Sequence, residues 1–113
     1  MTEEVHALAK ESQISPQKAR LIANEIRGLA VGRALAILAL SPKKGARLME
    51  KVLKSAIANA EQNHGLDVDE LMVSTVRVDE GEILKRWRPK GMGRIRKRYK
   101  RRSHLTVAVR ERS

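Results

Sequence analysis

Residues 71–109 read LMVSTVRVDEGEILKRWRPKGMGRIRKRYKRRSHLTVAV, and this stretch determines the second half of the fold. Its two ends, Leu71 to Asp79 and Leu105 to Val109, are rich in β-branched residues, which predicts two strands. The middle contains the sequence PKGMG at residues 89–93, which is typical of a turn. The stretch therefore predicts one long antiparallel hairpin over residues 80–103, with its turn near Gly91.

The central part of this hairpin carries the net charge of the chain. Residues 85–102 contain eleven Lys or Arg and no acid, whereas the other 95 residues carry 13 basic and 13 acidic side chains. With Gly91 at the centre of the turn, Trp87 is predicted to face Ile95. Ile83 then faces Tyr99 on the same side of the ribbon. The opposite face is predicted to carry Arg86, Arg88, Arg94, Arg96, Arg98, Lys100 and Arg102.

The first half of the chain predicts a short strand and then a helix. Val5 to Lys10 alternates apolar and polar residues, which favours a strand. Ser15-Pro16 follows, and this pair is typical of a helix start, with a capping hydroxyl and a proline at the first helical position. Apolar residues recur at positions 19, 22, 23 and 26, and Gly28 is predicted to end the helix in the left-handed conformation.

Two more helices are predicted before the hairpin. One spans Val31 to Leu40, and Ser41-Pro42 is predicted to cap the next, which runs from about Lys43 to Asn63. The residues expected to face the core are Val31, Ala34, Leu35, Leu38, Ala46, Met49, Leu53, Ala56, Ile57 and Ala60. At 113 residues the chain is predicted to form a single domain.

Several functional classes are disfavoured by what the sequence contains. Cysteine is absent, and the three histidines are far apart, so neither a metal site nor a cofactor is predicted. Phosphate-binding glycine motifs and a credible catalytic constellation are also missing, so we do not expect an enzyme. No export signal is apparent and no apolar run is long enough to span a membrane, which predicts a soluble, cytoplasmic protein.

The charge distribution instead predicts binding to a polyanion. A basic ribbon gains affinity by neutralising phosphates and releasing counterions. Trp87 either stacks on a nucleotide base or packs within the hairpin, and the sequence leaves both roles open. The polar stripe of the first predicted helix, Gln17, Arg20, Asn24 and Arg27, is either a second nucleic-acid contact or a solvated helix face.

Four segments carry a resemblance to a known family. ISPQKARLIANEIRG (residues 14–28) and KVLKSAIANAEQNHG (residues 51–65) resemble the first-helix motif and the long-helix signature of bacterial members of the ribosomal protein L twenty-two family. VDEGEILKRWRPKGMGR (residues 78–94) is similar to the outgoing limb of the family's hairpin. KRRSHLTV (residues 100–107) is similar to the return limb and the last strand.

The resemblance implies an α+β fold with three helices packed on a three-stranded antiparallel sheet and a long protruding β-hairpin. It also implies a structural protein of the large ribosomal subunit that binds large-subunit ribosomal RNA and assists subunit assembly. The hairpin is then expected to line the peptide exit tunnel. The implied partners are this RNA, other large-subunit proteins and the nascent peptide, and neither a membrane partner nor a stable homo-oligomer is expected.

The resemblance also identifies candidate RNA-binding residues. Those matching the first-helix motif are Ser15, Gln17, Lys18 and Arg20. Those matching the hairpin contacts are Lys85, Arg86, Arg88, Lys90, Arg94, Lys100 and Arg101. The rest of the basic segment completes the predicted set with Trp87, Arg96, Lys97, Arg98 and Arg102.

Two other functional classes remain as alternatives. A DNA-architectural protein also uses basic β-ribbon arms, and Pro89 and Met92 are candidates for an apolar wedge at the tip. A membrane-active cationic domain would need a basic amphipathic helix, whereas the charge here lies in strand-like sequence. Competition between large-subunit RNA and duplex DNA separates the first alternative from the ribosomal interpretation.

Overall fold

The computed structural model describes residues 4–81, 84–90, 94–100 and 102–112, and in 84–90, in 94–100 and at Glu11 it describes the backbone only. The helices are α1 (Pro16–Ile26), α2 (Val31–Leu40) and α3 (Lys44–His64), followed by a 3₁₀ turn at Val68–Glu70. The strands are β1 (Val5–Ser12), β2 (Leu71–Glu80), β3 (Leu84–Lys90), β4 (Arg94–Lys100) and β5 (Ser103–Glu111).

The strands form two antiparallel sheets. The main sheet has the order β1-β5-β2, and β3 pairs with β4 in a separate two-stranded ribbon. The β2–β5 ladder continues to the pair Glu80 and Ser103, and the Gly81 amide then donates to the Arg102 carbonyl at 2.8 Å. Along the chain, β3 begins three residues after Gly81, and β4 ends two residues before Arg102.

Strand β2 contains one residue more than its partner. Val73 pairs with Val109, but Thr75 pairs with Ala108, so Ser74 forms a β-bulge. The Ser74 hydroxyl donates to the Ala108 carbonyl at 3.1 Å. This bulge shifts the register of everything that follows along the β2 limb.

The helices bury one face of the main sheet. Helix α3 packs on β1 and β5, α1 packs on β2, and α2 packs on α3. Residues on the sheet alternate between buried and half-exposed along much of β5, as expected for a sheet covered on one face. The largest fully buried side chains are Ile22, Ile26, Leu38, Met49, Leu53, Leu71, Val73, Ser103, Leu105, Val107 and Val109.

The outer edge of β2 is covered by α1 and the connection that follows it. Gly28 has φ +84°, a left-handed conformation that glycine adopts readily, and its amide donates to the Val73 carbonyl at 2.9 Å. The Val73 amide donates in turn to the Leu29 carbonyl at 2.8 Å. These bonds satisfy backbone groups that an edge strand would otherwise leave open for pairing with another chain.

The predicted fold class is confirmed: the chain is α+β, with three helices on a three-stranded antiparallel sheet. Helix α2 has the predicted bounds, whereas β1 extends two residues beyond Lys10. The hydrophobic periodicities account for this agreement, because each apolar set faces the core.

The two predicted capping hydroxyls need correction. Ser15 and Pro16 begin α1 as expected, but the Ser15 hydroxyl makes no capping hydrogen bond. Helix α3 begins at Lys44 with Lys43 as its N-cap, so Ser41 precedes the helix by three residues. The Arg47 guanidinium instead binds the Leu38 and Ala39 carbonyls at the end of α2 and the Ser41 carbonyl, and Ser41 and Lys43 have extended backbone conformations.

Candidate nucleic-acid interface

A cleft of about 760 Å³ opens between the start of α1 and the start of α3. Its floor includes the buried side chains of Ile14 and Ile22, and Leu21 on its wall is 56% exposed. Exposed lysines from both helix starts lie around it. The complete lining is Gln13, Ile14, Ser15, Lys18, Leu21, Ile22, Lys43, Lys44 and Gly45.

The α1 side of the cleft is fixed from beneath by a buried serine. The hydroxyl of Ser103, which is fully buried at the start of β5, donates to the Ile14 carbonyl at 2.7 Å. The Ile14 amide donates to the Ser12 carbonyl at 2.8 Å. These two bonds set the position from which Ser15 and Lys18 enter the cleft wall.

The α3 side is fixed by Arg47 and Gly45. The Arg47 guanidinium donates to the carbonyls of Leu38 and Ala39 at 3.0 Å and of Ser41 at 3.1 Å. A Cβ on Gly45 would lie 2.1 Å from the Cδ1 of Ile14, so glycine allows α3 to begin directly against the cleft floor. The α2–α3 connection is thereby held close to α1.

The electrostatics of the cleft favour an anion. Lys18, Lys43 and Lys44 contribute three positive charges, and the N-termini of α1 and α3 add partial positive charge. Lys43 Nζ lies 3.5 Å from Glu25 Oε1, an exposed ion pair at the border of the site. A phosphate group is the kind of anion that such an arrangement can bind.

The candidate RNA-binding residues of the first-helix motif lie in two different places. Ser15 and Lys18 lie in the cleft, whereas Gln17 and Arg20 are exposed on α1 outside its lining. Arg20 Nη2 donates to the Val78 carbonyl at 3.3 Å, so this arginine also covers the β2 edge. Its guanidinium has five N–H donors, which leaves it able to contact RNA as well.

Arg27, in the same stripe, has a structural role. Its Nη2 donates to the Val76 carbonyl at 2.9 Å, and its Nη1 donates to Asn24 Oδ1 at 2.8 Å. The sequence leaves the stripe as either a second nucleic-acid contact or a solvated helix face. The structure shows that its Arg27 end has hydrogen-bond partners within the fold.

The predicted ribbon register is wrong. Trp87 pairs with Lys97, and Ile95 pairs with Pro89 rather than with Trp87. The physical reason is the additional residues in the outgoing limb: Ser74 forms one bulge, and a second shift of one residue separates the pair Glu80–Ser103 from the pair Leu84–Lys100. The predicted pair Ile83–Tyr99 is wrong for the same reason, since Tyr99 pairs with Lys85. Ile83 itself and the predicted turn at residues 91–93 lie outside the described residues.

The observed register places arginines opposite one another. Arg86 pairs with Arg98, and Arg88 pairs with Arg96. Residues that pair directly across an antiparallel ladder share a face, so these four positions lie on one face of the ribbon. In both the predicted and the observed register, even-numbered residues pair with even-numbered residues and odd with odd. The four arginine positions are even and those of Trp87 and Tyr99 are odd, so the two sets lie on opposite faces of the ribbon.

The remaining predicted ribbon residues have positions but no described side chains. The backbone places Lys85, Trp87 and Lys90 in β3 and Arg94, Lys97 and Lys100 in β4. Arg101 lies outside the described residues. Arg102 is half-buried, and within the described part of the chain its Nε is buried without a hydrogen-bond partner.

The described residues contain neither a candidate metal site nor a candidate membrane span. Among them, no three His, Cys, Asp or Glu side chains are grouped so that they could hold a metal ion. None of the helices in this part of the chain is long and apolar enough to cross a membrane. The interface is thus defined by cations, backbone positions and one amphipathic cleft.

Comparison with known proteins identifies the family. The sequence model of "Ribosomal protein L22p/L17e" matches residues 7–110. The chain belongs to this ribosomal protein family. It is also 57% identical over 110 residues to the large ribosomal subunit protein uL22 of Thermotoga sp. (strain RQ2), covering 97% of this chain and 69% of that protein.

Membership confirms the resemblance drawn from the motifs. The protein is a ribosomal protein of the large subunit that functions in translation, and its family is structural rather than enzymatic.

Sequence reasoning missed the lysines of the α3 start. Lys43 and Lys44 lie beside Ser15 and Lys18 only because the α2–α3 connection folds back against α1. A local signal was present, since two adjacent lysines follow Ser41-Pro42, but that tetrapeptide was interpreted as a helix start alone. Arg47 gave no local signal, because its carbonyl partners lie up to nine residues away.

Proposed function

We propose that the protein binds large-subunit ribosomal RNA through two surfaces, the β3–β4 ribbon and the cleft between α1 and α3. Through these contacts it assists assembly of the subunit. Membership in the ribosomal protein family and the concentration of the net charge in residues 85–102 support this proposal. The counterions released from RNA phosphates supply much of the binding free energy.

The observation that carries the proposal is the facing of like charges along the ribbon. Arg86 is opposite Arg98, and Arg88 is opposite Arg96. Like charges directly across a ladder destabilise it, and an isolated two-stranded ribbon is marginal in water. A row of phosphates along this face would convert the repulsion into attraction, and arginine binds phosphate with a bidentate geometry.

The test is a salt series of binding to large-subunit RNA with a variant in which the four opposed arginines are replaced by Gln. Each lost phosphate contact lowers the slope of log K against log salt by about 0.7 for single-stranded RNA, so four contacts lower it by about 3. The matched control replaces four exposed cations of the main domain by Gln. These are Lys10, Arg33, Lys54 and Arg110.

The two outcomes are distinct. A slope reduced only in the ribbon variant, together with RNA binding that outcompetes duplex DNA at 150 mM salt (~8 Å screening length), supports the proposal. Equal slopes in both variants would contradict it. Equal binding of RNA and duplex DNA by the unchanged protein would instead favour the DNA-architectural alternative.

We also propose that the end of the ribbon near Lys90 and Arg94 lines the peptide exit tunnel. This pair is the last described rung of the ribbon before residues 91–93, where the sequence predicts the turn. In that position the ribbon contacts the nascent peptide, and the main domain contacts other large-subunit proteins. A cytoplasmic location follows from these partners.

A further inference from the structure

We infer that the cleft between α1 and α3 holds a single unstacked nucleotide of the bound RNA, with its base on the apolar floor and its phosphates on the lysines. This inference rests on the proposed function, since it assigns a specific RNA element to one of the two surfaces. It concerns a pocket for a base rather than a general attraction for the RNA backbone.

The apolar part of the cleft is the first reason. Leu21 is 56% exposed and lines the cleft together with the cationic residues Lys18 and Lys43. A site built only for phosphate needs no apolar wall, because phosphate is bound by charge and N–H donors. Ile14 and Ile22 continue the apolar surface into the floor.

The convergence of lysines from two elements is the second reason. Lys18 is the third residue of α1, in its first turn, and Lys43 and Lys44 come from the start of α3. They meet only in the folded chain, and one acid, Glu25, lies near enough to pair with Lys43. A nucleotide placed between them would have its flanking phosphates reached from both sides.

The dimensions and the chemistry together favour a nucleotide. A volume of about 760 Å³ falls within the roughly 300–1,000 Å³ of sites that enclose small molecules. Proteins that read RNA commonly take unstacked bases from loops and bulges into such sites. A duplex keeps its bases stacked and would present only backbone to the cleft.

The first experiment tests the apolar wall in the full-length chain. We expect Leu21→Ser to weaken binding to large-subunit RNA about fivefold at fixed salt, since apolar burial is lost. The salt slope should not change, because no charge is removed. The matched control is Leu40→Ser, which changes an 86% exposed leucine outside the cleft and should leave affinity within about twofold.

The second experiment tests the cationic rim. Lys44→Gln should lower the salt slope by about 0.7, as expected for one lost phosphate contact. Lys54→Gln, at an exposed position of the same helix outside the cleft lining, should lower it less. All four substitutions are at exposed positions, and the melting temperature of each variant is to be measured to check that it folds.

A third measurement detects the base directly. Ultraviolet irradiation joins a base to side chains it touches, and we expect crosslinked peptides that contain residues 18–22 or 43–45. Equal effects of Leu21→Ser and Leu40→Ser, or crosslinks confined to other peptides, would overturn the inference. If the ribbon variant weakens binding while Leu21→Ser does not, only the cleft assignment fails; if RNA and duplex DNA bind alike, the proposed function itself fails.

Discussion

Replacing Ser103 by Ala should destabilise the domain at the point where the ribbon meets the cleft. The Ser103 hydroxyl is fully buried and donates to the Ile14 carbonyl at 2.7 Å. Ser103 also pairs with Ser12 on β1 and with Glu80 on β2, so the bond ties the end of all three strands of the main sheet to the start of α1. Alanine retains the backbone pairing but removes the donor.

The magnitude follows from the carbonyl that remains. A buried polar group left without its partner costs about 1–3 kcal/mol. For a domain of this size each kcal/mol lowers the melting temperature by roughly 4 °C, so we expect Ser103→Ala to melt about 4–12 °C lower. Urea denaturation should give the same loss in the free energy of unfolding with an unchanged m-value.

Ser74→Ala provides the matched control. It deletes a hydroxyl that also donates to a backbone carbonyl, that of Ala108 at 3.1 Å, but Ser74 is only half-buried. Water can replace the lost bond there, so the expected cost is below about 1 kcal/mol. If both variants lose the same free energy of unfolding, burial of the Ile14 carbonyl is not what makes Ser103 important.

Two further perturbations test the parts that shape the cleft and the β2 edge. Gly28→Ala should lower the free energy of unfolding by about 1–2 kcal/mol because Gly28 has φ +84°, whereas Gly32→Ala, in α2 with open space around it, should raise it by about 0.5–1 kcal/mol; changes of the same sign in urea denaturation would contradict this. Arg47→Met removes three bonds to carbonyls and should cost about 1–2 kcal/mol while also weakening RNA binding, and Arg33→Met, at an exposed position of α2, should do neither.

The helices and the main strands could be predicted because each satisfies a local rule. Helix α2 begins at Val31 and ends at Leu40 as its apolar spacing indicates, and the β-branched run from Leu71 becomes β2. Gly28 takes the left-handed conformation predicted for it. In each case the determining interactions lie within a few residues of sequence or follow from one buried face.

The register of the ribbon could not be predicted by the same reasoning. A symmetric hairpin centred on Gly91 assumes that both limbs contribute one residue per rung, but the bulge at Ser74 adds one residue to the outgoing limb, and a second is added between the pairs Glu80–Ser103 and Leu84–Lys100. The Ser74 side chain at the bulge is half-buried, and its hydroxyl donates to the Ala108 carbonyl on β5. Its partner, Ala108, is 34 residues away, so the pattern of Leu71 to Asp79 alone carries no sign of it.

Arginine and lysine have different roles in the main domain. Arg20, Arg27 and Arg47 all donate to backbone carbonyls, covering the β2 edge and the α2–α3 connection. The planar guanidinium suits this role, since it presents several donors in a fixed arrangement and holds its charge on partial burial. The lysines that line the cleft, by contrast, project compact charges from helix starts into solvent.

The separation of charge within the chain explains how it can form a stable domain and also carry a surface suited to a polyanion. Outside residues 85–102 the acids and bases balance, so the main domain folds without net self-repulsion. The repulsion between like charges is confined to the ribbon, where Arg86 is opposite Arg98 and Arg88 is opposite Arg96. On the return limb, the main sheet resumes at the buried Ser103. On the function proposed above, binding an RNA backbone would relieve this repulsion, while Arg27 and Arg47 hold α1 and α3 in place through bonds within the main domain.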